Sequence, residues 1–317
     1  MQSRRKFIKQ TTIAGTAALL GSNTVAANLG FNNNSGNNDL SVHIFSKHLQ
    51  FLDYKNMSEA AKEMGFDGID ITVRPNGHVL PERVKEDLPK ATEVMKSFEL
   101  KPQMLSTHVS DANNPIHKNI VETASRLGYQ YYRSDWFRYG KEQTIFESLD
   151  YAKNKLKELE QLNKKNNISA TYHNHSGHFF GAAIWDLYQV FELQSPKYIG
   201  SQYDIMHAIV EGGKNWEIGF KLIRPFINTL VVKDFIWGKK DGKWAPVFTP
   251  IGEGMVDFRK YFTMLKQYQI NVPMSIHVEY DLGGAEHGEK PTISKKEVLK
   301  RIKGDLDFIR KTWKEVQ

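Results

Sequence analysis

Four polar clusters recur in the second half of the sequence, each directly after a short apolar run. They are His173 to His175, Asp204 with His207, Lys233 with Asp234, and His277 with Glu279. Imidazole and carboxylate groups bind divalent cations through nitrogen and oxygen, and a lysine can donate a proton or stabilise negative charge. The clusters therefore predict an active site, with a metal ion.

The apolar runs that precede these clusters predict strands over 168–172, 199–203, 229–232 and 273–276. Polar groups at the carboxyl ends of successive strands are typical of the catalytic mouth of a parallel barrel. The first half adds strands over 40–46, 68–73, 102–108 and 129–133. Amphipathic segments predict helices over 57–64, 81–98, 117–127, 142–163, 184–191, 216–223, 257–268 and 294–316. The alternation predicts the α/β class and a single-domain (β/α)8 barrel.

Strand geometry indicates which side chains share a face. Successive residues of a strand point to opposite sides, so His277 and Glu279 share a face, as do Val231 and Lys233. Lys233 would then point into the barrel, where it could act as a catalytic acid or stabilise an oxyanion. An ion pair between Lys233 and Asp204 that only caps the barrel is the alternative.

The N-terminus has the features of an export signal. Arg4 and Arg5 precede Phe7 and an uncharged stretch, followed by small residues up to Ala27. This arrangement resembles a twin-arginine signal. We predict a signal peptide over 1–27, a disordered spacer over 28–39, and a barrel over 40–317, exported by the twin-arginine route to the periplasm.

Charge and composition narrow the function. The chain has 43 basic and 36 acidic residues, and removal of 1–27, which holds four basic and no acidic residues, lowers its net charge from +7 to +3. So small a charge gives no support for a nucleic-acid partner. There are no cysteines, so a metal site must use nitrogen and oxygen donors, and no lipid anchor is available. We expect no stable membrane association after processing.

Four short motifs resemble a known family. They are the segments 65–70 (GFDGID), 203–207 (YDIMH), 232–234 (VKD) and 277–280 (HVEY). In order and spacing they resemble the xylose isomerase-like barrels, the sugar phosphate isomerase/epimerase family that also gave rise to endonuclease IV. The resemblance covers essentially the whole barrel segment.

The resemblance implies a divalent cation (Mn²⁺, Zn²⁺, Co²⁺ or Mg²⁺) that stabilises an enolate while a proton moves at the carbon next to a carbonyl. Carried over to this sequence, the metal ligands are His173, Asp204 and Glu279. Two positions depart from the family pattern: His173 replaces a glutamate, and Val231 replaces a histidine. The residues predicted to be catalytic are Lys233, His207, Glu279 and His277.

Basic and aromatic residues follow the strands of the first half and the later loops, where they suit a sugar. The predicted substrate-binding residues are His48, Arg74, His108, Arg133, His175 and Trp237. A solvated loop side chain is the alternative for each. The expected partner is a small carbohydrate, and a homo-oligomer stays compatible with these features.

The leading function is therefore an exported carbohydrate-modifying enzyme, acting as an isomerase, an epimerase or a keto-glycoside lyase. Two other classes stay open. An endonuclease IV-like metal phosphodiesterase would need a multi-zinc cluster and a basic face. A barrel that binds sugar without catalysis is compatible with the loss of the histidine at Val231.

Overall fold

The structure is a computed structural model, and it describes residues 39–316. The predicted signal peptide and nearly all of the predicted spacer lie outside the described residues, so their boundaries stay predictions. Within residues 39–316, none of the helices combines the length and the apolar character that crossing a membrane requires.

Eight parallel strands close into a barrel, as predicted. Each strand pairs with the next along the chain, and the last strand returns to pair with the first. The barrel strands are β1 Val42–Phe45, β2 Gly68–Val73, β3 Met104–Val109, β4 Tyr131–Ser134, β5 Ser169–His173, β6 Ile199–Asp204, β7 Ile227–Val232 and β10 Met274–Ile276. The predicted single-domain (β/α)8 barrel is therefore confirmed.

Helices follow the strands and pack around the barrel. They are α1 Tyr54–Met64, α2 Val84–Ser97, α3 Pro115–Leu127, α4 Ile145–Asn166, α5 Ile184–Phe191, α6 Ile205–Gly212, α7 Trp216–Ile223, α8 Phe258–Gln267 and α9 Lys295–Glu315. Helix α4 begins with a capping box, in which Thr144 and Glu147 bond each other's backbone N–H groups. These reciprocal bonds satisfy N–H groups that lack a partner within the helix.

One helix and one two-stranded hairpin were not predicted. Helix α6 follows β6 without a linker, and Asp204 is both the last residue of β6 and the N-cap of α6. After β7 the chain forms an antiparallel hairpin of β8 Asp234–Lys240 and β9 Lys243–Thr249. Its turn residues Asp241 and Gly242 both have positive φ, the geometry that an Asp-Gly hairpin turn favours.

The interior of the barrel, here called the lumen, is polar where such interiors are usually filled by branched apolar residues. Asp70 on β2 accepts hydrogen bonds from Ser106 Oγ on β3 (3.0 Å) and Ser275 Oγ on β10 (2.8 Å). Since β1 separates β2 from β10 in the sheet, these side chains meet inside the barrel. Burial raises the pKa of Asp70 to about 6. The lumen can therefore hold polar and ionisable groups below the mouth.

Candidate active site

Asp204 is the centre of the candidate site. Its Oδ1 accepts a hydrogen bond from the backbone N–H of His207 at 3.1 Å, which caps α6. Its Oδ2 lies 3.0 Å from His173 Nε2, 3.2 Å from Lys233 Nζ and 3.8 Å from His207 Nε2. All four side chains are buried at the carboxyl ends of β5, β6 and β7. We call His173, Asp204, His207 and Lys233 the central cluster.

Neighbouring residues fix the backbone beneath the central cluster. Asn174 donates from Nδ2 to Asp204 O at 3.0 Å and accepts from Asp204 N at 2.8 Å, so it joins the ends of β5 and β6. Trp136 donates from Nε1 to His173 O at 2.9 Å. The sequence signal for Asn174 was its place between two histidines, but its positioning role depends on a contact across two strands.

The imidazoles of the central cluster are neutral at neutral pH. Burial lowers the pKa of His173 to about 3 and holds the pKa of His207 well below its usual range. Burial opposes ionisation of Asp204, but Lys233, His207 and the hydrogen bond to His173 together outweigh that cost and keep the pKa of Asp204 well below normal. The cluster therefore combines neutral nitrogen donors with a carboxylate that stays ionised.

The donor atoms of the central cluster fit a divalent cation. The ligand atoms of His173, Asp204 and His207 all lie within 4.8 Å of one another. Bonds of about 2.0–2.2 Å place neighbouring ligand atoms about 3–3.5 Å apart, which is close to the separations around Asp204 Oδ2. His207 Nε2 is buried without a hydrogen-bond partner among the described residues, and Ser176 Oγ lies 2.9 Å from its Nδ1. Two neutral imidazoles and one carboxylate suit borderline cations.

Glu279, the third predicted ligand, does not belong to this group of donor atoms. Its carboxylate forms an ion pair with Lys47 at 3.3 Å. Burial opposes its ionisation, but Lys233 and Lys47 hold the pKa of Glu279 below its usual value. Val231, which was predicted to replace a ligand histidine, is fully buried and lies beside Asp204 in the β6–β7 register.

His277 and His48 both contact Phe45, on the β1–β10 side of the mouth. His277 stacks on Phe45 with ring centroids 4.2 Å apart, and its ring centroid is 5.8 Å from that of His173. Its Nε2 has no hydrogen-bond partner among the residues described and lies 3.9 Å from Asp70 Oδ2. His48 instead accepts a hydrogen bond from Val278 N at 2.9 Å, which gives it a structural role.

Two of the predicted substrate-binding residues adjoin the central cluster. The ring centroids of His175 and His207 are 4.0 Å apart. Arg133 lies with its guanidinium Cζ 4.3 Å from the ring centroid of Trp136. The Trp136 ring in turn contacts the rings of His173 and His175.

Besides His48, the other three predicted substrate-binding residues lie farther from the central cluster. Arg74 lies over Phe45, with 5.5 Å from its Cζ to the ring centroid. His108 packs edge-on against His117 at 5.2 Å. Trp237 lies on the hairpin and is 43% exposed, so any contact with substrate would be made from the rim.

Asp234 has a structural role next to Lys233. Its carboxylate accepts hydrogen bonds from the backbone N–H groups of Phe235, Gly252, Gly254 and Val256 at 2.8–3.1 Å. A Cβ on Gly254 would lie 2.3 Å from Asp234 Oδ1, so the close approach requires glycine. The glycine-rich turn over 252–254 therefore surrounds a carboxylate of the protein and anchors the hairpin.

We expect Asp234→Ala to destabilise the protein more than an ordinary surface change. The substitution leaves four backbone N–H groups without their acceptor, those of Phe235 and Val256 in buried positions, which should lower the free energy of unfolding by about 3–5 kcal/mol. Urea unfolding measures the change, with the exposed Asp150→Ala in helix α4 as control. An equal effect of the two substitutions would contradict the anchoring role.

Comparison with known proteins defines the family. The sequence model of the xylose isomerase-like TIM barrel family matches residues 58–303. The chain belongs to this family. No curated protein matches the sequence.

Solved structures share the fold of this xylose isomerase-like barrel at low sequence identity. The apo 3-keto-D-glucoside 4-epimerase YcjR from E. coli is 12% identical, with a TM-score of 0.63 over 86% of this chain and 100% of its own. An L-ribulose 3-epimerase is 11% identical, with a TM-score of 0.66 over 87% and 95%. A Mycobacterium smegmatis xylose isomerase-like TIM barrel protein in complex with magnesium is 12% identical, with a TM-score of 0.61 over 84% and 98%.

Proposed function

We propose that this family member is a carbohydrate-modifying enzyme that moves a proton at the carbon next to a carbonyl. An isomerase, an epimerase and a keto-glycoside lyase all share that step. The observation that carries the proposal is the central cluster, where an ionised buried carboxylate meets two neutral imidazoles and a lysine. The solved neighbours that are named as sugar epimerases support the substrate class.

A divalent cation would be held by His173 Nε2, Asp204 Oδ2 and His207 Nε2, and when bound it would supply Lewis-acid polarisation of the substrate carbonyl. Asp204 supplies the negative charge of the site. Lys233, whose Nζ is 3.2 Å from Asp204, is placed to stabilise negative charge on the carbonyl oxygen or to donate a proton to it.

Glu279, His277 and His175 are the groups available to accept the proton from carbon. The carboxylate of Glu279 stays ionised beside Lys47, and burial lowers the pKa values of His277 and His175, so both imidazoles are neutral bases. Glu279 and His277 follow β10, whereas His175 follows β5. Bases on two sides of the mouth suit an epimerase, which must remove a proton from one face and return it to the other.

The export route belongs to the same proposal. We keep the twin-arginine signal and the periplasmic location as proposals, because residues 1–27 lie outside the described part. Phosphorylated sugars are scarce outside the cytoplasm, so export favours a keto-glycoside lyase among the three reactions.

Cation binding and proton exchange test the proposal together. We expect the chelated protein to bind one equivalent of Mn²⁺, Zn²⁺, Co²⁺ or Mg²⁺ by calorimetry. The loaded protein should exchange the C–H next to a keto-sugar carbonyl with D₂O, as followed by NMR. His173→Ala should lose the cation, and His173→Glu should recover part of the binding. His287→Ala, at an exposed histidine outside the cluster, is the matched control.

Two outcomes would count against the proposal. Full C–H exchange by the chelated protein would show that the reaction does not need the cation. Carbohydrate binding without exchange in any loaded form would instead identify a non-catalytic sugar-binding barrel.

A further inference from the structure

Some of the charged side chains at the mouth of the barrel form ion pairs, and others do not. Lys233 pairs with Asp204 at 3.2 Å, and Lys47 pairs with Glu279 at 3.3 Å. Arg74 and Arg133, by contrast, form no ion pair with any described residue. Charges that are buried in proteins are normally paired, so the lack of a counter-charge in contact with these two guanidinium groups needs an explanation.

Arg133 is held rigidly in the lumen with donors to spare. It lies on β4, is 4% exposed, and donates one hydrogen bond from a terminal nitrogen to Thr107 O at 3.0 Å. Its guanidinium stacks on Trp136, and its Nε is buried with no partner among the residues described. A planar fork that is fixed in this way is preorganised to bind an anion through two hydrogen bonds.

Arg74 lies nearby on the same inner face of the sheet. Thr72 on β2 pairs with Ser106 on β3, which pairs with Arg133 on β4, and Arg74 follows Thr72 by two residues. The Arg74 side chain stacks on Phe45 and makes no hydrogen bond to any described residue. Strand alternation therefore directs both guanidinium groups to one part of the mouth.

The nearby carboxylates do not neutralise this pair directly. Both oxygens of Asp70 accept hydrogen bonds from Ser106, and one also accepts from Ser275. Asp135 accepts a hydrogen bond from Trp136 N at 2.9 Å. Burial, followed by repulsion from Arg74, lowers the pKa of Arg133 to about 10, although the charges of Asp70 and Asp135 oppose this shift. An anion placed between them would relieve that repulsion.

We propose that Arg74 and Arg133 bind an anionic group of the substrate, so that the preferred sugar carries a carboxylate or a phosphate. The proposal rests on the carbohydrate-modifying function proposed above and names its substrate class. The anionic group lies on the β2–β4 side of the mouth, and the carbonyl carbon then lies toward the central cluster on β5–β7. Uronates and aldonates are the carboxylate form of this chemistry and agree with the proposed export, whereas sugar phosphates are the phosphate form and would count against that export.

Calorimetry on the cation-loaded protein at low salt tests the inference with D-glucuronate, D-glucose 6-phosphate and D-glucose. We expect at least one anionic sugar to bind about tenfold or more tightly than D-glucose, because charged hydrogen bonds are stronger than neutral ones. Preference for glucuronate identifies a carboxylate, and preference for the phosphate identifies a phosphoryl group.

Substitutions of the two arginines test whether they cause the preference for an anionic sugar. Arg74→Met and Arg133→Met should each weaken binding of the preferred anion by about 10- to 100-fold and weaken binding of D-glucose by a smaller factor. The Arg74 side chain makes no hydrogen bond to any described residue, so Arg74→Met stays informative if Arg133→Met folds poorly. Arg224→Met is the matched control, because Arg224 also stacks on an aromatic ring, Tyr268 at 4.3 Å, but precedes β7 at the opposite end of the barrel.

Equal affinity for the neutral and both anionic sugars, no binding of either anionic sugar, or an unchanged preference in Arg74→Met would overturn the inference. Deuterium exchange in a neutral keto-sugar separates the two proposals. If that exchange persists while the anion preference is absent, the proposed function stands and only the substrate class fails.

Discussion

Replacing Asp204 by asparagine is expected to abolish turnover and cation binding together. The amide keeps an oxygen that can cap α6 through His207 N, but it removes the only carboxylate among the donors of the central cluster. It also leaves Lys233 buried without its counter-charge, which should lower the free energy of unfolding by about 3–5 kcal/mol. Turnover, calorimetric cation binding and urea unfolding measure the three effects.

A double variant separates the structural effect from the chemical one. Asp204→Asn with Lys233→Met removes both members of the buried pair, so most of the lost stability should return while turnover stays absent. Asp305→Asn is a control at a buried aspartate whose pKa is raised to about 7 by burial. It should retain both activity and cation binding. An active Asp204→Asn would contradict the site as described.

Lys233→Met is expected to have opposite effects on binding and on rate. The ammonium lies 3.2 Å from the oxygen that a cation would use, so its removal should tighten cation binding by about tenfold or more. The neutral side chain cannot donate a proton or offset charge on the carbonyl oxygen. Turnover should therefore fall by about 10²–10⁴-fold.

Calorimetry and kinetics at saturating cation separate the two effects. Lys239→Met, at an exposed lysine on the hairpin, should change neither. If Lys233→Met stays fully active, the catalytic acid must be sought among His175, His207 and His277. Cation binding that is weaker in Lys233→Met would show that the lysine does not compete for Asp204.

The barrel could be predicted because its strands are regular in sequence. Strand β2 and helices α5 and α7 begin and end at the predicted residues, since each is an uninterrupted run with one dominant pattern. Helix α6 could not be separated from β6, because Asp204 serves both elements and no turn residues intervene. The Asp-Gly pair at 241–242 was a signal for the hairpin turn. The hairpin strands showed no clear alternation of apolar and polar residues, because both of their faces are largely exposed.

The candidate site was predicted in part. The sequence placed His173, Asp204 and Lys233 at neighbouring strand ends, and the structure brings them into contact around one oxygen. The pairing of Lys47 with Glu279 joins residues 232 positions apart, and no local pattern reports such a contact. His207 reaches the same oxygen only because the first turn of α6 folds its side chain back over Asp204. The contact between His207 and Asp204 therefore depends on helix α6, which the sequence did not predict.

Asp204 divides its two oxygens between architecture and chemistry, and that division limits which residues this position can hold. One oxygen caps α6, and the other faces His173 and Lys233. Asparagine, serine and threonine can all cap a helix, but none of them carries a charge. A single substitution of this kind could thus leave a barrel that still positions its histidines and binding residues. Such a barrel would be a receptor for the sugar that it once converted.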